Sequence, residues 1–142
     1  MCGDRRWVNR AYLFDRMNYL HGLYRIDKLI EGEAKGADIM AAEWAEEKGI
    51  SILTREPWIT VPGPKRGYPA LWHMYGHRAG PIRNKEMLDK GKPNLGIAFH
   101  EDLQNSKGTK NMVELMQKYV VTNIHIFNGE TEIHYQLNNL GF

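Results

Sequence analysis

At 142 residues, with 42% hydrophobic and 25% charged residues, the chain is expected to form a single domain, residues 1–142, with a core of its own. The charge is nearly balanced, 19 Lys+Arg against 17 Asp+Glu, which makes nucleic acid an unlikely partner and leaves room for a local basic cleft that takes a small anion. One cysteine, Cys2, excludes an intrachain disulfide, no apolar run approaches a membrane span, and Met1 to Arg6 carry no apolar signal segment, so the expected location is the cytoplasm, without membrane contact.

In chain order, Leu13, Met17, Leu20 and Tyr24 recur at helical spacing and predict a helix over 11–24, with Asn9 as its N-cap. Leu29-Ile30 predict a short strand that ends at Gly32. Ile39, Met40, Trp44 and Ala45 share one face of a helix over 37–48, which Gly49 stops, and Ile50 to Leu53 form the next strand. Residues 57–76 hold Pro57, Pro62, Pro64 and Pro69 with Trp58, Tyr68, Trp72 and Tyr75, and are expected to be largely irregular. Two readings stand side by side for this insertion: a lid over a ligand, or a surface loop whose aromatics cover a second small core.

Residues 79–90 read as a loop, Ala79 to Asn84, entering a helix that stops at Gly91. Leu95 to Phe99 form a strand. Ser106-Lys107-Gly108-Thr109 leads into a helix with Met112, Val113, Leu115, Met116 and Tyr119 inward. Thr122 to Phe127 form a strand, Asn128-Gly129 a hairpin turn, and Thr131 to Leu137 a strand that pairs back antiparallel. Strands alternating with helices predict an α/β fold, a Rossmann-like three-layer sandwich with a mainly parallel sheet, and ligands bind such sheets beyond the carboxyl ends of the strands. Three glycine-bearing segments, Gly32–Asp38, Gly80–Asn84 and Ser106–Thr109, each follow a strand and precede a helix, where backbone amides favour an anion.

Four motifs in order resemble one family. Gly3-Asp4-Arg5-Arg6-Trp7 is similar to the first loop, Gly32 to Asp38 with Ala41 to Ala45 to the glycine-rich signature, Ala79 to Met87 to the "AGPIRNxxM" stretch, and Ala98-Phe99 with Gly108 to Met112 to the "AF…GTxNM" stretch of YpsA-related SLOG proteins. The resemblance implies a Rossmann-like domain that binds a nucleotide or nucleotide-derived small molecule; no further cofactor is expected, and no His/Cys/Asp/Glu spacing reads as a metal site. It implies ligand contacts from Gly3, Arg5, Trp7, Gly32, Lys35, Gly36, Asp38, Gly80, Arg83, Asn84, Ser106, Lys107, Gly108 and Thr109. Related LOG-type phosphoribohydrolases cleave nucleotides at the N-glycosidic bond, and short stand-alone copies of the YpsA-related type occur in phages and bacteria.

The chain departs from this pattern. Only Met1 and Cys2 precede Gly3, so the first strand is expected to be truncated, and a second copy or the C-terminal strand is expected to cover the core it leaves. Glu33 stands where the family has the second of two glycines. Met112 stands where the LOG enzymes carry their catalytic glutamate, which favours binding over cleavage, with Glu33 or Glu101 as substitutes if the chain is an N-glycosidase.

Among the single residues, Arg83 reads as a ligand clamp rather than a surface ion pair, one whose loss should spare the empty protein's stability. Asp38 reads as a helix cap, with a ribose hydroxyl as its alternative partner. Trp7 either stacks on a base or packs in the core. Ser106 and Thr109 can cap their helix and still leave amides for an anion.

Overall fold

The computed structural model describes residues 1–55 and 67–137. Its elements run β1 (Cys2–Gly3), α1 (Arg10–Tyr24), β2 (Lys28–Leu29), α2 (Ala37–Glu47), β3 (Ser51–Ile52), α3 (Trp72–Tyr75), α4 (Ala79–Gly91), β4 (Leu95–Phe99), α5 (Gly108–Lys118), β5 (Asn123–Phe127) and β6 (Glu132–Gln136). Asn9 caps α1 as its sequence predicts, its Oδ1 accepting from the Tyr12 amide at 3.0 Å.

β1, β4, β5 and β6 form one sheet in that order, with β1–β4 and β4–β5 parallel and β5–β6 antiparallel. Asn128 makes the final hairpin, its Oδ1 accepting from the Glu130 and Thr131 amides while Gly129 takes φ +104°. β2 and β3 pair parallel as a separate ribbon. The first strand is a two-residue stub, Cys2 opposite Ala98 and Gly3 opposite Phe99. The Met1 nitrogen donates to Ile30 O at 2.9 Å and links the ribbon to the main sheet. Ahead of that link a cavity of about 540 Å³ opens between β2 and β4, lined by Lys28, Leu29, Leu95 and Ile97 among others. The C-terminal strand does not fill this place; it lies at the far edge, on β5.

Alternation along β4 divides the core into two layers. Ile97 and Phe99 pack with Leu13, Met17 and Leu20 of α1 and Trp44 of α2. Ala98 faces the other way, with Met87 and Leu88 of α4 and Met112, Val113 and Met116 of α5. The second face carries small residues because α5 sits close: a Cβ on Gly96 would lie 2.4 Å from Met116 Sδ. Each of these buried aliphatic side chains contributes about 1.5–3 kcal/mol by leaving water, and together they seat α5 with its N-terminus at the carboxyl end of β4.

Two sequence expectations change. The helix expected after a loop at 79–84 begins at Ala79 itself, with Gly80 and Pro81 inside its first turn. Proline is compatible there because the first-turn N–H groups have no intrahelical acceptor. Arg83 consequently lies in the second turn. Within the aromatic insertion, Trp72–Tyr75 form a short helix continued by a 3₁₀ turn, Gly76–Arg78. Tyr68 and Leu71 are buried, Tyr68 in the α4–α5 layer. Pro57, Trp58, Pro62, Gly63, Pro64, Lys65 and Arg66 lie outside the described residues.

Candidate functional site

A cleft of about 570 Å³ lies beyond the carboxyl ends of β1 and β4, between the loop after β1 and the first turns of α4 and α5. Gly3, Arg5, Asp38, Gly80, Arg83, Asn84, Ser106, Lys107, Gly108 and Thr109 all line it. Arg6, Trp72, His77 and His100 line it too; Arg6 belongs to the first-loop motif, Trp72 to the insertion that one reading makes a lid, and His100 follows a strand toward the cleft, but none of the four was among the expected ligand contacts. Trp7, Gly32, Lys35 and Gly36 do not.

Trp7 is a core residue, 4% exposed, with its ring 5.5 Å from that of Phe99 and its Nε1 donating to Asn9 O at 3.0 Å. The turn that returns the chain at Asp4, where the Trp7 amide donates to Asp4 O at 3.2 Å, carries it inward. Lys35 is exposed away from the cleft. Gly36, at φ +78° and ψ −124°, lies against the loop after β1: a Cβ there would meet Asp4 O at 2.4 Å and Arg5 O at 2.6 Å.

The glycine-rich turn does a different job from the one its composition suggests. The Ala37 amide, first in α2, donates to Asp4 O at 3.1 Å. Asp38 does not cap its own helix; its Oδ2 reaches back to the Gly32 amide at 3.0 Å and the Ala34 amide at 3.4 Å. One amide at the start of α2, that of Ala37, is thus taken from within, while the Asp38 and Ile39 amides have no acceptor among the described residues, and the helix dipole already faces the Asp38 carboxylate. Glu33 adopts φ +54°, the left-handed conformation that explains a glycine at this place in the family pattern.

The N-terminus of α5 is arranged differently. Ser106 Oγ accepts from the Lys110 amide at 3.0 Å. The Gly108 and Thr109 amides have no acceptor among the described residues. Asn84 braces this turn, its Nδ2 donating to Gly108 O at 3.3 Å and to Asn111 Oδ1 at 3.1 Å. Two open amides stand at the start of this 11-residue helix, with Lys107 exposed beside them, the arrangement with which helix termini can receive an anion.

Arg83 is more deeply engaged than a free clamp. Its Nη1 donates to Gly32 O at 2.6 Å and Tyr68 O at 3.2 Å, and its Nε donates to Asn84 Oδ1 at 3.0 Å. Gly32 has no side chain because this guanidinium occupies the space; a Cβ would lie 2.1 Å from Nη1. Burial lowers the pKa of Arg83, while Asp38 opposes the shift. Nη2 carries no hydrogen bond to another described residue. The expectation that Arg83→Ala spares the empty protein is therefore replaced. That variant is expected to lose about 2 kcal/mol of stability, as for loss of hydrogen bonds from a charged donor, and urea unfolding of the ligand-free protein measures it.

The carboxylates sort by depth. Asp4 and Asp38 line the cleft, whereas Glu33 and Glu101 do not; Glu101 borders a separate hollow with Trp7 and Asn128. Met112 is buried in the α4–α5 layer and Glu114 is exposed, so neither brings a carboxylate to the cleft. Behind the cleft wall Glu31 is fully buried, and its pKa is pushed up to about 9, by burial first and then by Asp38 and Glu33. Burial also raises Asp38, with Arg83 opposing. His100 faces Asp4 at 4.0 Å and accepts from the Asp102 amide at 2.9 Å through Nδ1. Among the described residues no group of histidines, cysteines and carboxylates is arranged to hold a metal ion, and no helix is long and apolar enough to cross a membrane.

Residues 1–59 match the model of YAcAr, the YspA, cpYpsA-related SLOG family. That stretch contains the loop after β1 and the glycine-rich turn packed on it. The chain is also 31% identical to the gene 61 protein of Mycobacterium phage D29 over 117 residues, which is 82% of this chain and 85% of that protein. No solved structure matches. With the β1 loop, the glycine-rich turn and the strand-end cleft in one continuous arrangement, the chain belongs to the YspA, cpYpsA-related SLOG family.

Proposed function

We propose that the protein binds a nucleotide or nucleotide-derived small molecule in the strand-end cleft, with a phosphate group at the N-terminus of α5. The observation that carries this reading is the pair of open amides at Gly108 and Thr109, in a cleft that Arg5, Arg6, Arg83 and Lys107 also line. Its volume, about 570 Å³, is in the range of small-molecule sites. SLOG family membership supports the same ligand class.

The reading favours binding over cleavage, because the position of the LOG glutamate is a buried methionine. Sequestration or sensing of a signalling nucleotide in the cytoplasm fits a domain of this size, and the phage relative supports a phage setting, with interference in a host defence signal as the role. Self-association is part of the proposal. β6 is an edge strand with all five residues exposed, among them Ile133 at 51% and Tyr135 at 38%, and such an edge is suited to pairing with a second copy. Light scattering on a sizing column reads the stoichiometry.

Calorimetric titration with a panel of nucleotides tests the central claim. A member of the panel is expected to bind, and Lys107→Ala to weaken it about tenfold through loss of a charge-assisted contact, with the melting temperature of the empty protein unchanged because Lys107 is exposed. Release of free base during incubation, followed by chromatography, would revive the N-glycosidase reading. A folded protein that binds no member of the panel would end the binding reading.

A further inference from the structure

The reading above leaves open which part of a nucleotide the cleft recognises besides phosphate. Two observations bear on it. The first is Trp72. Trp7 and Trp44 are core residues at 4% and 0% exposure, yet Trp72 lines the cleft and is 48% exposed. The Arg5 guanidinium carbon lies 5.2 Å from its ring centroid. An indole held at the cleft by a cation over its ring, with much of its surface still in water, presents apolar area that the protein itself does not cover. The second is Asp38. It lines the cleft and is 5% exposed; its Oδ2 takes the Gly32 and Ala34 amides, but its Oδ1 is buried without a hydrogen-bond partner among the described residues. A buried carboxylate oxygen without a donor is a site that a ligand hydroxyl would complete.

We infer that Trp72 is the nucleobase platform of this cleft and Asp38 its hydroxyl acceptor, so that the ligand is a phosphate compound bearing both a base and a sugar, not a bare sugar phosphate. The inference rests on the cleft being the ligand site. Phosphate at α5, sugar at Asp38 and base at Trp72 account for the open amides, the unpartnered oxygen and the exposed ring with one molecule. The stacking role that the sequence offered to Trp7 passes to a residue 65 positions later, since Trp7 is in the core and Trp72 is on the cleft.

The test is calorimetry with AMP, GMP, CMP, UMP, ADP-ribose and ribose 5-phosphate on the wild-type protein, Trp72→Leu, Trp72→Phe and Lys107→Ala. At least one base-bearing compound is expected to bind at least tenfold more tightly than ribose 5-phosphate, in line with the contribution of one stacked base. Trp72→Leu should remove about that factor and leave ribose 5-phosphate unaffected; Trp72→Phe should retain most of it. Because Trp72 is exposed, neither variant should melt appreciably earlier. If Trp72→Leu binds the base-bearing compounds as wild type does while Lys107→Ala does not, the platform is overturned and the phosphate site stands. Equal binding of ribose 5-phosphate and nucleotides overturns base recognition. If none of the six compounds binds, this inference and the reading beneath it fall together.

Discussion

Gly36→Ala is expected to destabilise the protein by about 3 kcal/mol or more, lowering its melting temperature by roughly 10 °C for a domain of this size. Two causes act together. The backbone at Gly36, φ +78° and ψ −124°, lies in a region that L-residues enter only at a penalty. The added Cβ would also stand 2.4 Å from Asp4 O and 2.6 Å from Arg5 O, both backbone atoms that no rotamer change can move. Nor can the loop withdraw cheaply, because Asp4 is held on both sides: its amide donates to Phe99 O at 2.8 Å and its carbonyl accepts from Ala37 at 3.1 Å. Gly49→Ala is the control. Gly49 has φ +70° but nothing within 4 Å of a new Cβ, so it carries the dihedral penalty of about 1–2 kcal/mol alone. Chemical denaturation of both variants separates the terms. Equal losses would show that the close approach of α2 to the first loop does not hold the site together.

That contrast bears on what the chain's residues reveal before folding. Features set by near neighbours were legible. The Asn9 cap, the Asn128-Gly129 hairpin and the stub at Cys2-Gly3 each depend on a few consecutive residues. How the start of α2 is engaged was not, because it depends on a contact between residues 33 apart: Asp4 O takes the Ala37 amide, while no carbonyl reaches Gly108 or Thr109 among the described residues. Gly80-Pro81 was read as loop because both residues interrupt helices, yet a first turn tolerates both.

The assignment of the tryptophans was likewise a matter of long-range packing. Trp7 follows Arg5 by two residues and looks like a site residue, but the turn at Asp4 sends it into the core. Trp72 carried a signal in its surroundings, since it opens a seven-residue run, 72–78, that is exposed throughout and holds His73, His77 and Arg78. Arg83 was read as a ligand clamp and lines the cleft, but its structural role was not foreseen, since the carbonyls it binds belong to Gly32 and Tyr68.

Glu31→Gln is expected to flatten the pH dependence of stability, the second large effect. Glu31 is fully buried between the glycine-rich turn and Gly67, where a Cβ would lie 2.4 Å from its Oε1. Oε1 has no hydrogen-bond partner among the described residues. Burial and the neighbouring Asp38 raise its pKa to about 9 from an ordinary 4.5, because two carboxyl groups at such depth cannot both ionise with Arg83 as their nearby cation. In the unfolded chain Glu31 loses its proton near its ordinary pKa, while in the folded chain it keeps the proton until about pH 9. Between these limits the folded state binds more protons, so stability is greatest at the acid end of the window and falls as pH rises. Glutamine has nearly the same shape and no proton to lose, so the variant's stability should vary much less from pH 5 to pH 9 and exceed wild type at the alkaline end. Urea unfolding at half-unit pH steps reads the slope directly. The same fall in stability with pH in both proteins would mean that Glu31 is ionised in its buried place, and that Arg83, with its Nη1 already donating to Gly32 and Tyr68, neutralises two carboxylates instead of one.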